Sequence, residues 1–206
     1  MTVSAAVDVE TEVRKSRFLC LLAPVRTEDA AREAVALRRR AHHSARHHCS
    51  AFILEAGGQI QRSSDDGEPA GTAGLPMLEV LRGRGLTDVV AVVTRYFGGV
   101  LLGTGGLIRA YGGAVSAAAD AATLMRRRPL HTVVVSTEHQ LAGRLENDLR
   151  ASPYTVDGVD YAEDVRLRVL VAPHDLAAFT DWLAQHSAGQ AALSVGQLSF
   201  VDLPRA

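Results

Sequence analysis

The sequence has few of the features that identify a secreted, disulfide-rich or membrane protein. Its two cysteines, Cys20 and Cys49, lie in apparently apolar strands, which favours reduced core residues over a disulfide framework. There is no apolar run of about 18 residues. The N-terminal stretch, residues 1–16, lacks the charged-then-apolar pattern of a signal peptide. We therefore expect a cytoplasmic protein with no membrane partner.

The sequence also has no large excess of positive or negative charge. The formal net charge is −1 and gives no global basic field, so any polyanion must be bound by a local patch. Lys15 is the only lysine, whereas arginine is plentiful, a bias that weakens any single arginine as evidence of a ligand. The arginine runs at 38–40 and 126–128 are explained by a helix C-terminus and a solvated domain junction.

Motifs of several common catalytic sites are absent. The sequence has no nucleophile elbow and no zinc-ligand spacing, and Leu102–Gly106 is not followed by the Lys-Ser/Thr of a P-loop. Ordinary nucleoside-triphosphate hydrolysis is therefore not expected. We assign no catalytic residue, no metal ligand and no cofactor.

The most informative segment present is RYFGGVLLGTGGLIRAYGGAVSAA, residues 95–118, with seven glycines. The apolar run 89–93 before it predicts a strand buried on both faces, and apolar residues at helical spacing after it predict a helix that begins near Gly105. The free N–H groups of that helix, beside residues without bulky side chains, could hold an anion. The candidate backbone groups are Gly98, Gly99, Gly103, Thr104, Gly105 and Gly106.

Side chains around this segment combine charge with aromatic faces, as phosphate and base contacts require. They are Arg95, Tyr96, Arg109 and Tyr111.

The polar loop at 63–74 carries three carboxylates, Asp65, Asp66 and Glu68. They could bind a hard cation or act as acid and base, although the spacing is not that of a calcium loop. The alternative, which we favour, is that Thr72 or Asp66 caps the helix beginning near Leu75.

A histidine cluster precedes Cys49. His43 and His47 would share a helix face and could contribute to a metal site, but the segment leaves a helix and enters a strand, so solvated or hydrogen-bonded histidines are the simpler interpretation. We expect His47 or His48 to face the same groove as Asp65 and Arg95.

The periodicities predict two α+β blocks separated by residues 125–129. The first has a strand (17–25), a helix (28–40), a hairpin (49–55 and 59–62), a helix (75–84), the buried strand and the glycine-led helix. The second has a strand (130–137), a helix (141–149), a hairpin (155–161 and 165–171), a helix (176–183) and a strand (195–201). This βαββαβ order is ferredoxin-like, and the predicted domains are 1–127 and 128–206.

Several motifs in order resemble the YigZ/IMPACT family, and nearly the whole chain is covered. They are ARHHC (45–49), DDGEPAGTAG (65–74), RYFGG (95–99), LGTGGL (102–107) and AYGG (110–113). The resemblance to bacterial two-domain members implies an N-terminal domain like domain IV of elongation factor G and a C-terminal ferredoxin-like domain like its domain V. The chain has no segment for the RWD module of eukaryotic members, so direct control of the general-control kinase pathway is not expected.

The family is linked to translation, and its bacterial members are suspected binders of RNA or ribosomes. The resemblance thus implies a non-enzymatic RNA- or ribosome-binding protein that uses Arg95, Tyr96, Arg109 and the glycine-rich backbone, with the C-terminal sheet as a second contact. The alternative is an enzyme acting on a phosphorylated small molecule. In that case the loop 103–106 would hold the phosphate, and Asp66, Glu68 or His48 would supply acid, base or metal contacts.

Overall fold

A computed structural model describes residues 1–55 and 57–204. The chain forms two compact units, Met1–Arg126 together with Pro204, and Arg127–Leu203. The helices are α1 (Glu28–Ala41), α2 (Gly74–Gly83), α3 (Thr104–Ala121), α4 (His139–Arg150) and α5 (Leu176–Ser187), with a short 3-10 turn at Pro173–Asp175. Within the described ranges, none of the helices has both the length and the apolarity that crossing a membrane requires.

The first unit is built on an antiparallel sheet in the order β2-β3-β6-β4-β5. Its strands are β2 (Val7–Val13), β3 (Ser16–Pro24), β4 (His47–Leu54), β5 (Ile60–Ser64) and β6 (Val89–Tyr96). Residues 89–93 of β6 are fully buried, as their unbroken apolar run predicts.

Both faces of this sheet are covered. Alternate residues of β3, β4 and β6, including Phe18, Cys49 and Val93, pack with α2 and α3. The residues between them, including Phe52 and Val92, pack with α1. Side chains alternate along a strand, so each residue at the C-terminal end of β6 faces either the layer of α2 and α3 or the layer of α1. Among residues 94–97, contacts are therefore expected between side chains that face the same layer.

Helix α1 has a regular N-terminus, because the Thr27 hydroxyl accepts a hydrogen bond from the Ala30 N–H at 3.1 Å. Helix α3 begins differently. Its N-cap is Gly103 at φ +69°, with no side-chain cap and no acidic residue in the first turn. The first N–H groups of α3 therefore have no acceptor from an N-cap side chain.

The second unit contains α4, α5, the strands β8 (Thr155–Tyr161) and β9 (Val165–Val171), and all but the end residues of β7 (Leu124–Thr137) and β10 (Ala192–Pro204). The strand order is β10-β7-β9-β8, with β7/β9 and β8/β9 antiparallel. This order and the βαββαβ sequence of elements confirm the predicted ferredoxin-like fold. Its core lies between the sheet and the helices, around Leu145, Val169 and Phe179.

The structure corrects the sequence prediction at three places. Strand β2 was not predicted, although its valines alternate with polar residues as in a half-exposed edge strand. Strand β7 begins at Leu124 and not at Leu130, so the segment 125–129 is extended backbone and not a break between strands. Its first residues, Leu124 and Met125, pair with β1 (Thr2–Val3), a short strand that was also not predicted. Residues 205 and 206 of the predicted second domain lie outside the described residues.

Candidate functional site

A cleft of about 660 Å³ lies in the first unit where β4 begins and β6 ends. It is lined by residues 44–47 and 95–97 and by Leu101. His47 and Arg95 are register partners in the antiparallel pair, and directly opposed residues share a face of the sheet. Both line the cleft, whereas Asp65, which was expected in the same groove, is not among the lining residues. The lining includes Arg46, His47 and Arg95 and no carboxylate.

Arg95 is held in a buried ion pair and is almost completely shielded from solvent. Its Nη1 donates to Glu68 Oε1 at 2.8 Å, and the Tyr111 hydroxyl donates to the same oxygen at 2.7 Å. The side chains of Arg95 and Glu68 are only 7% and 4% exposed. Burial is the main cause that raises the pKa of Tyr111 far above its ordinary value, so its hydroxyl stays protonated and remains a donor. The three residues therefore form a buried network beneath the cleft.

The Arg95 guanidinium also lies between two aromatic rings. Its central carbon is 5.6 Å from the ring centre of buried Phe18 and 5.6 Å from that of Phe97, distances within the range of cation–π contacts. Phe18 in turn meets the Tyr111 ring edge to face at 5.2 Å. Phe97 is 57% exposed. Its accessible ring therefore contacts Arg95, which in turn contacts the buried ring of Phe18.

Asp65 caps the start of α2, a role the sequence assigned to Thr72 or Asp66. Its carboxylate accepts hydrogen bonds from the backbone N–H groups of Gly71, Ala73 and Gly74 at 2.8, 3.0 and 2.8 Å. Partial burial acts to raise the pKa of Asp65, but these three donors outweigh it and hold the pKa below its ordinary value of 3.8. Thr72 instead donates its hydroxyl to the Pro69 carbonyl.

Asp66 fastens the same loop to the first residues of β4. One carboxylate oxygen accepts from the backbone N–H of His48 at 2.7 Å and the other from Arg39 at 2.8 Å. The Asp66 carbonyl is 2.9 Å from His47 Nδ1. Asp66 therefore contributes to the fold of the cleft wall, and its φ of +42° is a strained conformation for a non-glycine residue.

His47 and His48 are on opposite faces of the sheet. His47 lines the cleft, whereas His48 is buried and its Nδ1 lies 3.0 Å from the Thr94 hydroxyl. Burial and then the Arg39 charge lower the pKa of His48 below 6.5. His48, Asp66 and Arg95 therefore do not converge in one pocket. Helix α1 ends at Ala41, so His43 and His47 do not share a helix. Residues 1–55 and 57–204 contain no group of three or more His, Cys, Asp or Glu side chains placed to hold a metal ion.

Tyr96 forms the side of the cleft toward the end of α1. Its hydroxyl is hydrogen-bonded to His42 Nδ1 at 3.0 Å, and the Arg17 guanidinium lies 5.5 Å from its ring centre. The ring is therefore held in place from two directions.

The glycines of the loop have three different structural roles. Gly98 permits a close approach, since a Cβ there would lie 2.0 Å from the Lys15 carbonyl carbon, and its N–H donates to the Ser16 hydroxyl at 3.1 Å. Gly99 and Gly103 have φ of +83° and +69°, which glycine adopts without strain. Thr104, Gly105 and Gly106 are helical and begin α3.

Arg109 is exposed on the first turns of α3, beside Gly105. Its Nη1 lies 3.5 Å from the position a Cβ of Gly105 would take. It also lines a recess of about 140 Å³ with Arg14 and Gly106. Among the described residues, neither arginine has an ion-pair partner. This recess places two cationic side chains at a helix N-terminus.

The sequence prediction missed three residues that the structure brings to this surface: Arg14, Arg46 and Phe97. Arg46 was visible only as part of ARHHC, and Phe97 only as a residue after a strand. Arg14 sits in the turn between β2 and β3, where Arg14 and Lys15 both have positive φ, as type I′ hairpins require. Since β2 was not predicted, neither was this turn.

Comparison with known proteins gives a consistent result along the chain. The family model described as the Impact N-terminal domain matches residues 14–119, and one described as a domain of unknown function (DUF1949) matches residues 135–190. IMPACT family member YvyE of Bacillus subtilis is 40% identical over 98% of this chain and 93% of its own length. IMPACT family member YigZ of Escherichia coli is 44% identical over 90% of this chain and 92% of its own length. A crystal structure titled as that of a hypothetical protein is 40% identical, covers 95% of this chain and 96% of its own, and superposes with a TM-score of 0.62.

Proposed function

The chain belongs to the IMPACT family, and from that premise we propose that it is a translation-associated regulatory protein that binds RNA, free or in the ribosome, without catalysis. The surface that binds is the cleft together with the exposed start of α3.

The observation that carries this proposal is the composition of the cleft. It combines exposed cationic Arg46 with His47, two aromatic residues and no carboxylate. Because the net charge of the whole chain is −1, such a local absence of negative charge is what a polyanion surface requires. Phosphates supply most of the affinity of nucleic-acid complexes, and aromatic rings add contacts to bases.

The start of α3 supports the same function. Arg109 and Arg14 lie beside a helix N-terminus that has no side-chain cap and whose first residues include Gly105 and Gly106. Backbone N–H groups and arginines at a helix start are suited to phosphate oxygens. Arg95 has a different role from the one expected, since its ion pair with Glu68 is buried. We assign it to the support of Phe97.

The carboxylates give no comparable support to the enzyme alternative. Asp65 binds backbone N–H groups, Asp66 binds Arg39 and the His48 backbone, and Glu68 is paired with Arg95. Each has a structural partner that a reacting group would have to displace.

Sedimentation of the tagged protein with ribosomes and with ribosomal RNA across a salt series tests this proposal. We expect wild type to pellet at low salt and to be released as salt increases, because bound phosphates release counterions. The Arg46→Ala/Arg109→Ala variant should be released at lower salt. Arg40→Ala, which removes an exposed arginine already paired with Glu33, is the matched control and should behave as wild type. Absence of wild type from both pellets at every salt concentration would refute the proposal.

A further inference from the structure

Resting on the proposed function, we propose that the cleft takes an unpaired nucleobase of single-stranded RNA, stacked on the ring of Phe97. The proposed ligand is thus RNA with unpaired bases, which can separate from their stacked neighbours.

Two exposed apolar side chains line this cleft. Phe97 is 57% and Leu101 83% exposed, and Val100, which precedes Leu101 in the sequence, is also exposed. Exposed apolar surface rimmed by polar residues is typical of an interaction site. The exposed cationic Arg46 in the same lining argues for an occupant that is negatively charged and has an apolar face, which is the chemistry of a nucleotide.

The ring of Phe97 is held before any ligand arrives. Arg95 lies on one side of it, and Arg95 is fixed by Glu68 and Tyr111. The next residue, Gly98, is fastened to Ser16 and packs against the Lys15 backbone. A fixed ring loses little conformational entropy on binding, so stacking on it yields more net affinity.

The shape of the site favours single strands over duplex. The faces of bases in an A-form helix are covered by their neighbours, and proteins recognise such helices mainly through phosphates and 2′-hydroxyls. A ring inside a cleft can stack only on a base that is unpaired. The cleft volume of about 660 Å³ falls in the range of pockets that bury small ligands, which is adequate for a single base.

A binding experiment with short RNAs tests the proposal. The probes are a single-stranded pentanucleotide carrying a central 2-aminopurine and an RNA duplex of about 12 base pairs. Affinity is measured by fluorescence anisotropy, and the change in environment of the central base by the change in 2-aminopurine emission. Wild type should bind the single strand and change this emission. Phe97→Ala should weaken that binding about 5- to 150-fold, the loss expected for one stacked base, and abolish the emission change, whereas Phe97→Trp should retain binding.

Phe200→Ala is the matched control. Phe200 is 47% exposed on β10, with the Arg127 guanidinium 5.5 Å from its ring centre, so it reproduces the exposed ring and the arginine in the other unit. Its loss should leave pentanucleotide binding unchanged. The salt dependence of Phe97→Ala should equal that of wild type, since no phosphate contact is removed.

The outcomes separate this inference from the function on which it rests. Wild type that binds neither probe refutes the proposed function and this inference with it. Wild type that binds RNA, with Phe97→Ala binding equally well or with duplex preferred, overturns the inference alone. Unchanged pentanucleotide binding by Phe97→Ala, with loss of ribosome sedimentation, would assign Phe97 to a protein contact and also overturn it.

Discussion

Replacing Arg95 by alanine should destabilise the first unit strongly. The change leaves the Glu68 carboxylate, 4% exposed, without its cation. Removal of one partner from a buried ion pair typically costs about 3–5 kcal/mol. We expect Arg95→Ala to lower the free energy of unfolding by that amount, and also to release the ring of Phe97.

Tyr111→Phe gives an internal scale for this effect. It removes the 2.7 Å hydrogen bond to Glu68 and keeps the ring that packs against Phe18. A hydrogen bond to a charged group contributes about 1.5–3 kcal/mol. Since both donors use the same Glu68 oxygen, the losses of the two single variants should not add in the double variant.

Urea unfolding followed by far-UV circular dichroism measures these changes, with fluorescence of Trp182, the only tryptophan, recording the second unit separately. Arg40→Ala is the control, because Arg40 forms an exposed ion pair with Glu33 and its loss should leave the transition unchanged within error. A loss below about 1 kcal/mol in Arg95→Ala, the magnitude of an exposed ion pair, would show that the pair is not buried as described, and Arg95 would return to the candidate phosphate contacts.

Three further predictions concern the support of the cleft. Asp65→Ala should lower the free energy of unfolding by about 1–3 kcal/mol in urea titrations, because three N–H groups at the start of α2 lose their acceptor; wild-type stability would contradict the capping role. Gly98→Ala should cost about 1–3 kcal/mol by collision with the Lys15 backbone. Gly105→Ala should be neutral or stabilising by up to about 1 kcal/mol, because a Cβ there makes only an ordinary contact with the Arg109 side chain; equal effects of the two substitutions would refute the close approach. Since the folded-state pKa of His48 is depressed, the unfolded state binds more protons, and stability should fall as pH drops below about 6.5 toward the folded value; an equally steep fall in His48→Gln would exclude His48 as a source.

Much of the fold was predictable from local patterns. The apolar run of β6 and the helical spacing after Gly105 specify a strand and a helix because each buries a defined face. The extended stretch at 125–129 was not predictable, since three arginines and Pro129 resemble a junction, and it is extended only because β7 continues through them.

The site was predictable in location but not in the roles of its residues. A strand end followed by glycines indicates a place where side chains and backbone meet a ligand. Whether the Arg95 side chain faces solvent or Glu68 depends on where the loop 65–74 folds back onto the sheet. These two residues are 27 positions apart in the sequence, and the periodicity of a single helix or strand does not predict contacts over that distance. Asp65, Asp66 and Glu68 lie within four consecutive positions, yet each binds a different element, which spacing alone could not distinguish.

The salt dependence of RNA binding tests the central claim most directly. Affinity of the single-stranded pentanucleotide is measured at several salt concentrations for wild type and for Arg46→Ala/Arg109→Ala, and the logarithm of the association constant is plotted against the logarithm of salt concentration. Two lost phosphate contacts should reduce the magnitude of the slope by about 1.4, at about 0.7 for each contact with a single strand, and should weaken binding at low salt. Equal slopes and equal affinities in folded protein would contradict the assignment of this surface to RNA.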